Sequence, residues 1–224
     1  MKDNKSAYTS SDYDANVNKV LPYYNEFHRQ IIDAAKCIDA DNLRWLDLGC
    51  GTGTLACKAA NAVGNCKFTL CDISEPMLKT AEEKLKNSSV AAEYINCSND
   101  KINFSNEFDI VSAVMSNHYF NPEQRKTATK NAFNALKPGG IYITFENIEP
   151  QAESVKKLYI KRWGEYMLSA GRSQDEVENH FNRRGTEYFP ITVSEHLYLL
   201  KECGFKSAEI LWYSYMQAGF LAIK

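Results

Sequence analysis

Residues 45–53 read Trp45-Leu46-Asp47-Leu48-Gly49-Cys50-Gly51-Thr52-Gly53, an apolar run that contains one aspartate and ends in three alternating glycines. The run predicts a short buried strand. Because glycine has no Cβ, the chain can turn sharply after this strand and leave bare backbone open to a ligand. Apolar residues then recur at helical spacing from Leu55 to Val63, until Gly64 ends the pattern. The first N–H groups of that helix face the loop, so we interpret the segment as a nucleotide-cofactor site.

The glycines alone leave the identity of the cofactor open. The pattern Gly51-x-Gly53-x-x-Ala56 also fits the dinucleotide fingerprint of NAD-binding proteins. The next apolar run ends at Asp72, at about the 20-residue offset where an acid binds the ribose hydroxyls of an adenosine ligand. Asp47 separates the two cases, because a pyrophosphate would meet a like charge there, whereas an ammonium and a sulfonium would be attracted.

Four motifs in this order resemble those of the class I S-adenosylmethionine (SAM) methyltransferases. They are the stretches 46–53, 70–78, 108–111 and 136–140, which cover roughly a hundred residues. The resemblance implies a Rossmann-like fold and SAM as the cofactor. It assigns Asp47 and the glycines to the methionine part of SAM and Asp72 to the ribose, with Ile73 beside the adenine.

The family's third motif usually carries an acid for the adenine amino group, and this chain has Ser98 at that place. Ligands bind outside the carboxyl ends of the strands in an open α/β sheet, a rule that also brings in Asn99 and the stretch 115–119. The predicted cofactor-binding residues are Asp47, Gly49, Cys50, Gly51, Gly53, Asp72, Ile73, Ser98, Asn99 and Met115.

Apolar runs alternate with helical patterns, which predicts an α/β, doubly wound and mostly parallel sheet. Two further runs, 206–213 and 215–223, are close enough in sequence to pair antiparallel, so we expect seven strands with an antiparallel C-terminal hairpin. Ser74, Asn121 and Thr192 fit helix N-cap positions. The other predicted strands lie near 44–48, 67–71, 90–95, 108–114 and 141–147, and the helices at 53–63, 75–86 and 122–136.

Residues 149–190 interrupt this alternation with two helical stretches, which we interpret as a helical lid insertion. Residues 1–12 lack apolar periodicity and are predicted to be a disordered tail. From Val20 the apolar residues repeat at helical spacing, with Pro22 in the first turn. We therefore expect a single methyltransferase domain over residues 13–224.

Candidate catalytic and substrate residues come from the fourth strand end and from the insertion. His118 is a candidate general base beside Tyr119, although a histidine ahead of a helix also commonly packs or caps. Trp163 faces the substrate or the core of the insertion. The adjacent Arg183 and Arg184 suit capture of a carboxylate or phosphate, or else form a solvated pair.

Composition limits the partners. The formal charge of −2 and the pI near 6.1 argue against a broad phosphate-binding face, so nucleic acid is disfavoured and a small-molecule substrate is favoured. Seven cysteines without CxxC pairs or a signal peptide indicate a reduced, cytoplasmic chain. No apolar run has membrane length, no metal site is indicated, and the sequence leaves a homodimer open.

The function predicted from these features is SAM-dependent methyl transfer to a small, anionic molecule. One alternative comes from the tail between Val193 and Lys224, which resembles that of the carboxy-SAM synthases. Those enzymes transfer carbon dioxide from prephenate onto the SAM methyl group, and an arginine ahead of the tail, here Arg183, holds the new carboxylate. Another alternative is a non-catalytic SAM-binding protein, against which the intact Asp47 and Asp72 argue.

Overall fold

One mixed sheet organises the molecule. The computed structural model describes residues 3, 4, 6, 8–86, 88 and 90–224. Within this part of the chain seven strands pair in the order β3-β2-β1-β4-β5-β7-β6. The first five are parallel, and β7 runs antiparallel between β5 and β6. The predicted fold class is therefore confirmed. The strands are β1 (Leu43–Leu48), β2 (Cys66–Asp72), β3 (Ala92–Asn96), β4 (Phe108–Val114), β5 (Leu136–Asn147), β6 (Ser207–Ser214) and β7 (Gln217–Ile223).

Helices cover both faces of the sheet. Apolar side chains of α2, α3 and α4 form one core with one sheet face, and those of α5 and α8 form a second core with the other. A sheet that is buried on both faces explains why its strands read as continuous apolar runs. The helices are α1 (Tyr13–Asn16), α2 (Tyr24–Ala35), α3 (Thr54–Val63), α4 (Glu75–Leu85), α5 (Pro122–Ala135), α6 (Glu153–Ser169), α7 (Gln174–Asn182) and α8 (Val193–Glu202).

Side-chain caps fix where the helices begin. Ser74 Oγ accepts the Met77 N–H at 3.3 Å, and Asn121 Oδ1 accepts the Gln124 N–H at 2.9 Å. Thr192 forms a reciprocal capping box with Glu195, three residues further along the helix. All three predicted caps are confirmed, and each satisfies a backbone donor that the first helical turn leaves open.

The first long helix begins later than predicted. The apolar spacing suggested a start at Val20, but α2 starts at Tyr24 and Tyr23 has a left-handed φ of 60°. Pro22 disfavours helical geometry at the residue before it, so the chain makes a turn there first. Val20 is still buried, because the turn packs against the insertion.

The insertion packs its own aromatic residues against the segment that precedes α2. Trp163 of α6 is fully buried, and its Nε1–H donates to the Val20 carbonyl at 2.6 Å. The Tyr166 hydroxyl donates to the Asn18 carbonyl. These contacts join residues far apart in sequence into one cover over the carboxyl ends of the strands.

The predicted disordered tail falls partly outside the described residues, namely at Met1, Lys2, Lys5 and Ala7. Of the others, Asp3 accepts a hydrogen bond from Ser74 Oγ at 2.7 Å through its carbonyl. Disorder of residues 1–12 and a single domain over 13–224 stay predictions.

The core offers a matched pair of glycine substitutions. A Cβ on Gly219 would lie 2.4 Å from the buried Phe145 ring, whereas a Cβ on Gly164 would meet its nearest neighbour, Val177, at 3.5 Å. We expect Gly219→Ala to lower the free energy of unfolding by about 1–3 kcal/mol through overpacking. Gly164→Ala, inside α6, is expected to leave it unchanged or raise it by about 0.5–1 kcal/mol. Urea denaturation checks both values, and equal effects would contradict this packing.

Candidate active site

The loop after β1 is shaped by three glycines in left-handed conformations. Gly49, Gly51 and Gly53 have φ values of 66°, 55° and 71°. A Cβ on Gly49 would lie 2.4 Å from the Ser116 Cβ, and one on Gly53 would lie 2.8 Å from the Ala81 Cβ. Apart from Gly51 and its two chain neighbours, the described residues place no heavy atom within 4 Å of a Cβ built on Gly51. The loop thus packs tightly at two glycines and leaves space at the middle one.

Asp72, at the end of β2, is tied to this loop. Its Oδ2 accepts the Gly51 N–H at 2.9 Å, and its Oδ1 accepts the Ser74 N–H at 2.8 Å. Burial raises the pKa of the Asp72 carboxyl above its ordinary value, while these backbone hydrogen bonds oppose the shift. A carboxylate has about four acceptor positions, so two hydrogen bonds leave capacity for ligand hydroxyls.

Asp47 lies beneath the glycine loop, inside the sheet. Its carboxylate accepts the Ser112 hydroxyl at 2.6 Å, and Ser112 in turn accepts the Trp45 Nε1–H at 2.8 Å. Burial raises the pKa of Asp47 to about 7; the Ser112 hydrogen bond opposes this shift and the nearby charge of Asp72 adds to it. The Asp47 side chain is buried and does not line the cleft described next.

A cleft opens at the carboxyl ends of the strands, with about 1090 Å³ of empty space that includes part of the open solvent. Ten of the predicted site residues line it: Gly49, Gly51, Asp72, Ile73, Ser98, Asn99, Met115, His118, Tyr119 and Arg183.

Five predicted residues do not line this cleft. Asp47 is buried in β1, whereas Cys50 and Gly53 belong to the loop itself, where Gly53 packs against Ala81 of α4. Trp163 is a core residue of the insertion, since the centroid of its ring lies 4.8 Å from the centroid of the His180 ring. Arg184 turns away, because its guanidinium pairs with Glu149 and donates to the Ile148 carbonyl at 2.9 Å.

Arg183 and His118 bring charge and a titratable group into the cleft. Arg183 Nε donates to Glu187 at 2.7 Å, and its side chain is 14% exposed. His118 is buried, with its Nδ1 2.7 Å from a carboxylate oxygen of Glu146. Burial raises the pKa of the neighbouring Tyr119 above its ordinary value, and the Arg183 charge opposes that shift.

Several cleft residues were not predicted. Asn147 ends β5, and the strand-end rule would have included it. His180 and Tyr188 come from the insertion, where the sequence offers no such rule. Glu146 lies behind the cleft in contact with His118, and no sequence motif indicates it.

Comparisons with known proteins agree on one family. A family model described as a methyltransferase domain matches residues 46–140. A carboxy-S-adenosyl-L-methionine synthase of Nautilia profundicola is 28% identical over 215 residues, which cover 96% of this chain and 92% of that protein. A ubiquinone/menaquinone biosynthesis C-methyltransferase of Shewanella sediminis is 31% identical over 121 residues, 52% of this chain and 47% of that protein.

The fold comparison gives the same result. A SAM-dependent methyltransferase structure from Aquifex aeolicus matches with a TM-score of 0.63 at 13% identity, over 96% of this chain and 98% of that one. The matched methyltransferase domain and the shared fold support a class I SAM-dependent methyltransferase. SAM is its cofactor or its substrate, which replaces the NAD interpretation that the glycine pattern left open. Among the residues that the structure describes, none of the helices has the length and apolar character needed to cross a bilayer.

The raised pKa of Asp47 predicts how the free energy of unfolding depends on pH. An acid that titrates near 7 when folded and near its ordinary 3.8 when unfolded binds more protons in the folded state between these values. Asp47 should therefore reduce the free energy of unfolding as the pH rises from about 4 to about 7.

The isosteric Asp47→Asn variant should lack this dependence. We expect it to gain stability relative to the parent methyltransferase across that pH window, on the order of 2–3 kcal/mol in total. Asparagine still accepts the Ser112 hydrogen bond, so the comparison isolates the charge. Urea denaturation at several pH values measures the difference, and a difference that is constant with pH would refute the assignment.

Proposed function

We propose that this enzyme transfers the methyl group of SAM to a small anionic molecule, and that Arg183 binds the anion. The observation that carries the proposal is that Arg183 lines the same cleft as Asp72. The formal charge of −2 gives no broad basic surface, so one guanidinium inside a cleft favours a single small anion over a polyanion.

SAM fits the cofactor half of the cleft. The open side of Gly51 leaves room for a ligand against bare backbone, and Asp72 keeps acceptor capacity for the ribose hydroxyls. Ile73 lines the cleft and is 57% exposed, as expected for a side chain that a bound adenine ring would cover. Ser98, Asn99 and Met115 would complete the pocket. Asp47 beneath the loop would favour the positive charge of the ligand.

Aromatic side chains connect the two halves of the cleft. Tyr8, Tyr13, Tyr119 and Tyr188 line the cleft together with Asp72 and Arg183. A wall of tyrosines suits a flat acceptor such as a phenolic acid or a small unsaturated carboxylate.

When bound, SAM supplies an electrophilic methyl group on a sulfonium that leaves as a neutral thioether. The enzyme then has to hold the acceptor in line and keep water out. Proximity and orientation of this kind can lower a barrier by about 7–11 kcal/mol. We propose that Arg183 orients the acceptor, with His118 and Tyr119 as the catalytic residues beside it.

A second candidate function is the synthesis of a carboxylated SAM. Relatives named carboxy-SAM synthase match almost the whole chain. In this version Arg183 would bind a carboxylate carried by SAM itself. The product separates the candidates: mass spectrometry of the nucleosides should detect S-adenosylhomocysteine for methyl transfer and a nucleoside heavier than SAM by one carbon dioxide for the alternative.

Substitution of the two adjacent arginines tests the anion site. With a panel of phenolic and small unsaturated acids, Arg183→Gln should raise the acceptor KM at least tenfold, about 1.4 kcal/mol of lost recognition, with unchanged SAM affinity. Arg184→Gln is the matched control, because it breaks the ion pair with Glu149 outside the cleft. It should lower thermal stability and leave the acceptor KM unchanged. An Arg183→Gln enzyme that handles its acceptor normally would remove the proposal.

A further inference from the structure

Glu146, near the end of β5, is a fully buried carboxylate with a complete set of donors. Its Oε1 accepts the Asn117 N–H at 3.1 Å and the Thr144 hydroxyl at 3.0 Å. Its Oε2 accepts the His118 N–H at 3.0 Å and lies 2.7 Å from His118 Nδ1. Burial alone would raise the pKa of Glu146, but the hydrogen bonds and the nearby positive charges, those of His118 foremost, together hold this pKa below its ordinary value.

This arrangement fixes the tautomer of His118. An ionised carboxylate only accepts hydrogen bonds, so the proton between the two side chains belongs to Nδ1. The lone pair of the neutral ring is then on Nε2, for which the described residues provide no hydrogen-bond partner. The ring lines the cleft close to Tyr119, with 4.3 Å between the ring centroids.

Glu146 is the anion paired with the His118 ring. Burial lowers the pKa of His180 to about 3 and that of His196 to about 4, so both are neutral near pH 7. Arg125 lies behind Glu146, where its Nε donates to the Asn117 carbonyl at 3.2 Å. The titratable and charged groups around the pair are Tyr119, Tyr142, Tyr188, His180, His196, Arg125 and Arg183.

We propose that His118 Nε2 accepts a proton from the methyl acceptor, and that Glu146 is the positioning residue that orients the ring and balances its charge. The inference rests on the proposed function and adds the class of nucleophile. A base at this place serves an acceptor that must lose a proton, which is a hydroxyl group or a carbon acid, and serves no purpose for a thioether.

The proton and the electrons balance without a further reactant. The acceptor proton moves to Nε2, and the electron pair it leaves forms the new bond to the methyl carbon as the carbon–sulfur pair stays on sulfur. The imidazolium that results faces the Glu146 carboxylate across the existing 2.7 Å contact. Product release and loss of the proton to water return the ring to its neutral form.

A purely structural role for Glu146 must be distinguished from this one, since it also accepts two backbone N–H groups of the turn after β4. The test is nitrogen-15 NMR of the full chain, labelled at its four histidines and saturated with S-adenosylhomocysteine. Single histidine substitutions assign the signals. The neutral form of His118 should carry its proton on Nδ1 and leave Nε2 unprotonated.

Glu146→Gln replaces the anion with an amide that can both donate and accept, and should raise the share of neutral His118 that carries its proton on Nε2. The matched control is Glu149→Gln, three residues on, whose carboxylate pairs with Arg184 and Lys156 and should leave the proton on Nδ1. A neutral His118 ring protonated on Nε2 in the unaltered chain, or a tautomer population that Glu146→Gln leaves unchanged, would overturn the proposal.

The tautomer is read on the unaltered chain, so the test stays decisive if Glu146→Gln does not fold. It also uses no acceptor, which separates it from the Arg183 experiment. If Arg183→Gln leaves the acceptor KM unchanged but His118 shows the expected tautomer, the anionic acceptor is refuted and the base is retained. If Arg183→Gln raises the acceptor KM but His118 shows the other tautomer, the base is refuted and the anion site is retained.

Discussion

The close packing of the glycine-loop backbone against Ser116 and Ala81 is the constraint on which the site depends. Gly49 and Gly53 combine a left-handed φ with neighbours that leave no room for a Cβ, on the turn after β4 at one position and on α4 at the other. Such positions accept glycine alone at low cost. Their packing determines where the Gly51 N–H points, and therefore where the Asp72 carboxylate is held.

Charge is arranged around this fixed loop in two layers. Asp47 is buried within the sheet, and Asp72 reaches the cleft. Arg183 supplies the positive counterpart from the insertion. The proposed pairing of a cationic cofactor with an anionic acceptor would require both signs in one cleft, where a low local dielectric strengthens each interaction relative to the surface.

Sequence reasoning located the parts of the site that follow from strand ends. Asp72 and Met115 end or follow parallel strands, and the strand-end rule brings such residues together whatever the details of packing. The hydrogen-bond partner of Asp47 could not be predicted from the sequence, because the strand register that places Ser112 beside it joins two residues 65 positions apart. That register decides that the carboxylate lies below the loop.

The insertion shows the other limit. Arg183 and Arg184 are adjacent, yet one faces the cleft and the other pairs with Glu149. The turn after α7 sets this difference, through a bridge between Arg184 and Tyr188 that no periodicity predicts. Trp163 likewise joins the core because a pair of helices outside the main sheet needs apolar contacts of its own.

Calorimetric titration of Asp72→Asn with SAM tests the central claim, that this cleft binds SAM through the carboxylate held by the glycine loop. The substitution removes the charge and keeps one acceptor for the loop. We expect affinity to fall about 10- to 100-fold, with an equal loss for S-adenosylhomocysteine, because both ligands share the ribose and a charge-assisted hydrogen bond contributes about 1.5–3 kcal/mol. Unchanged affinity for both ligands would contradict the account.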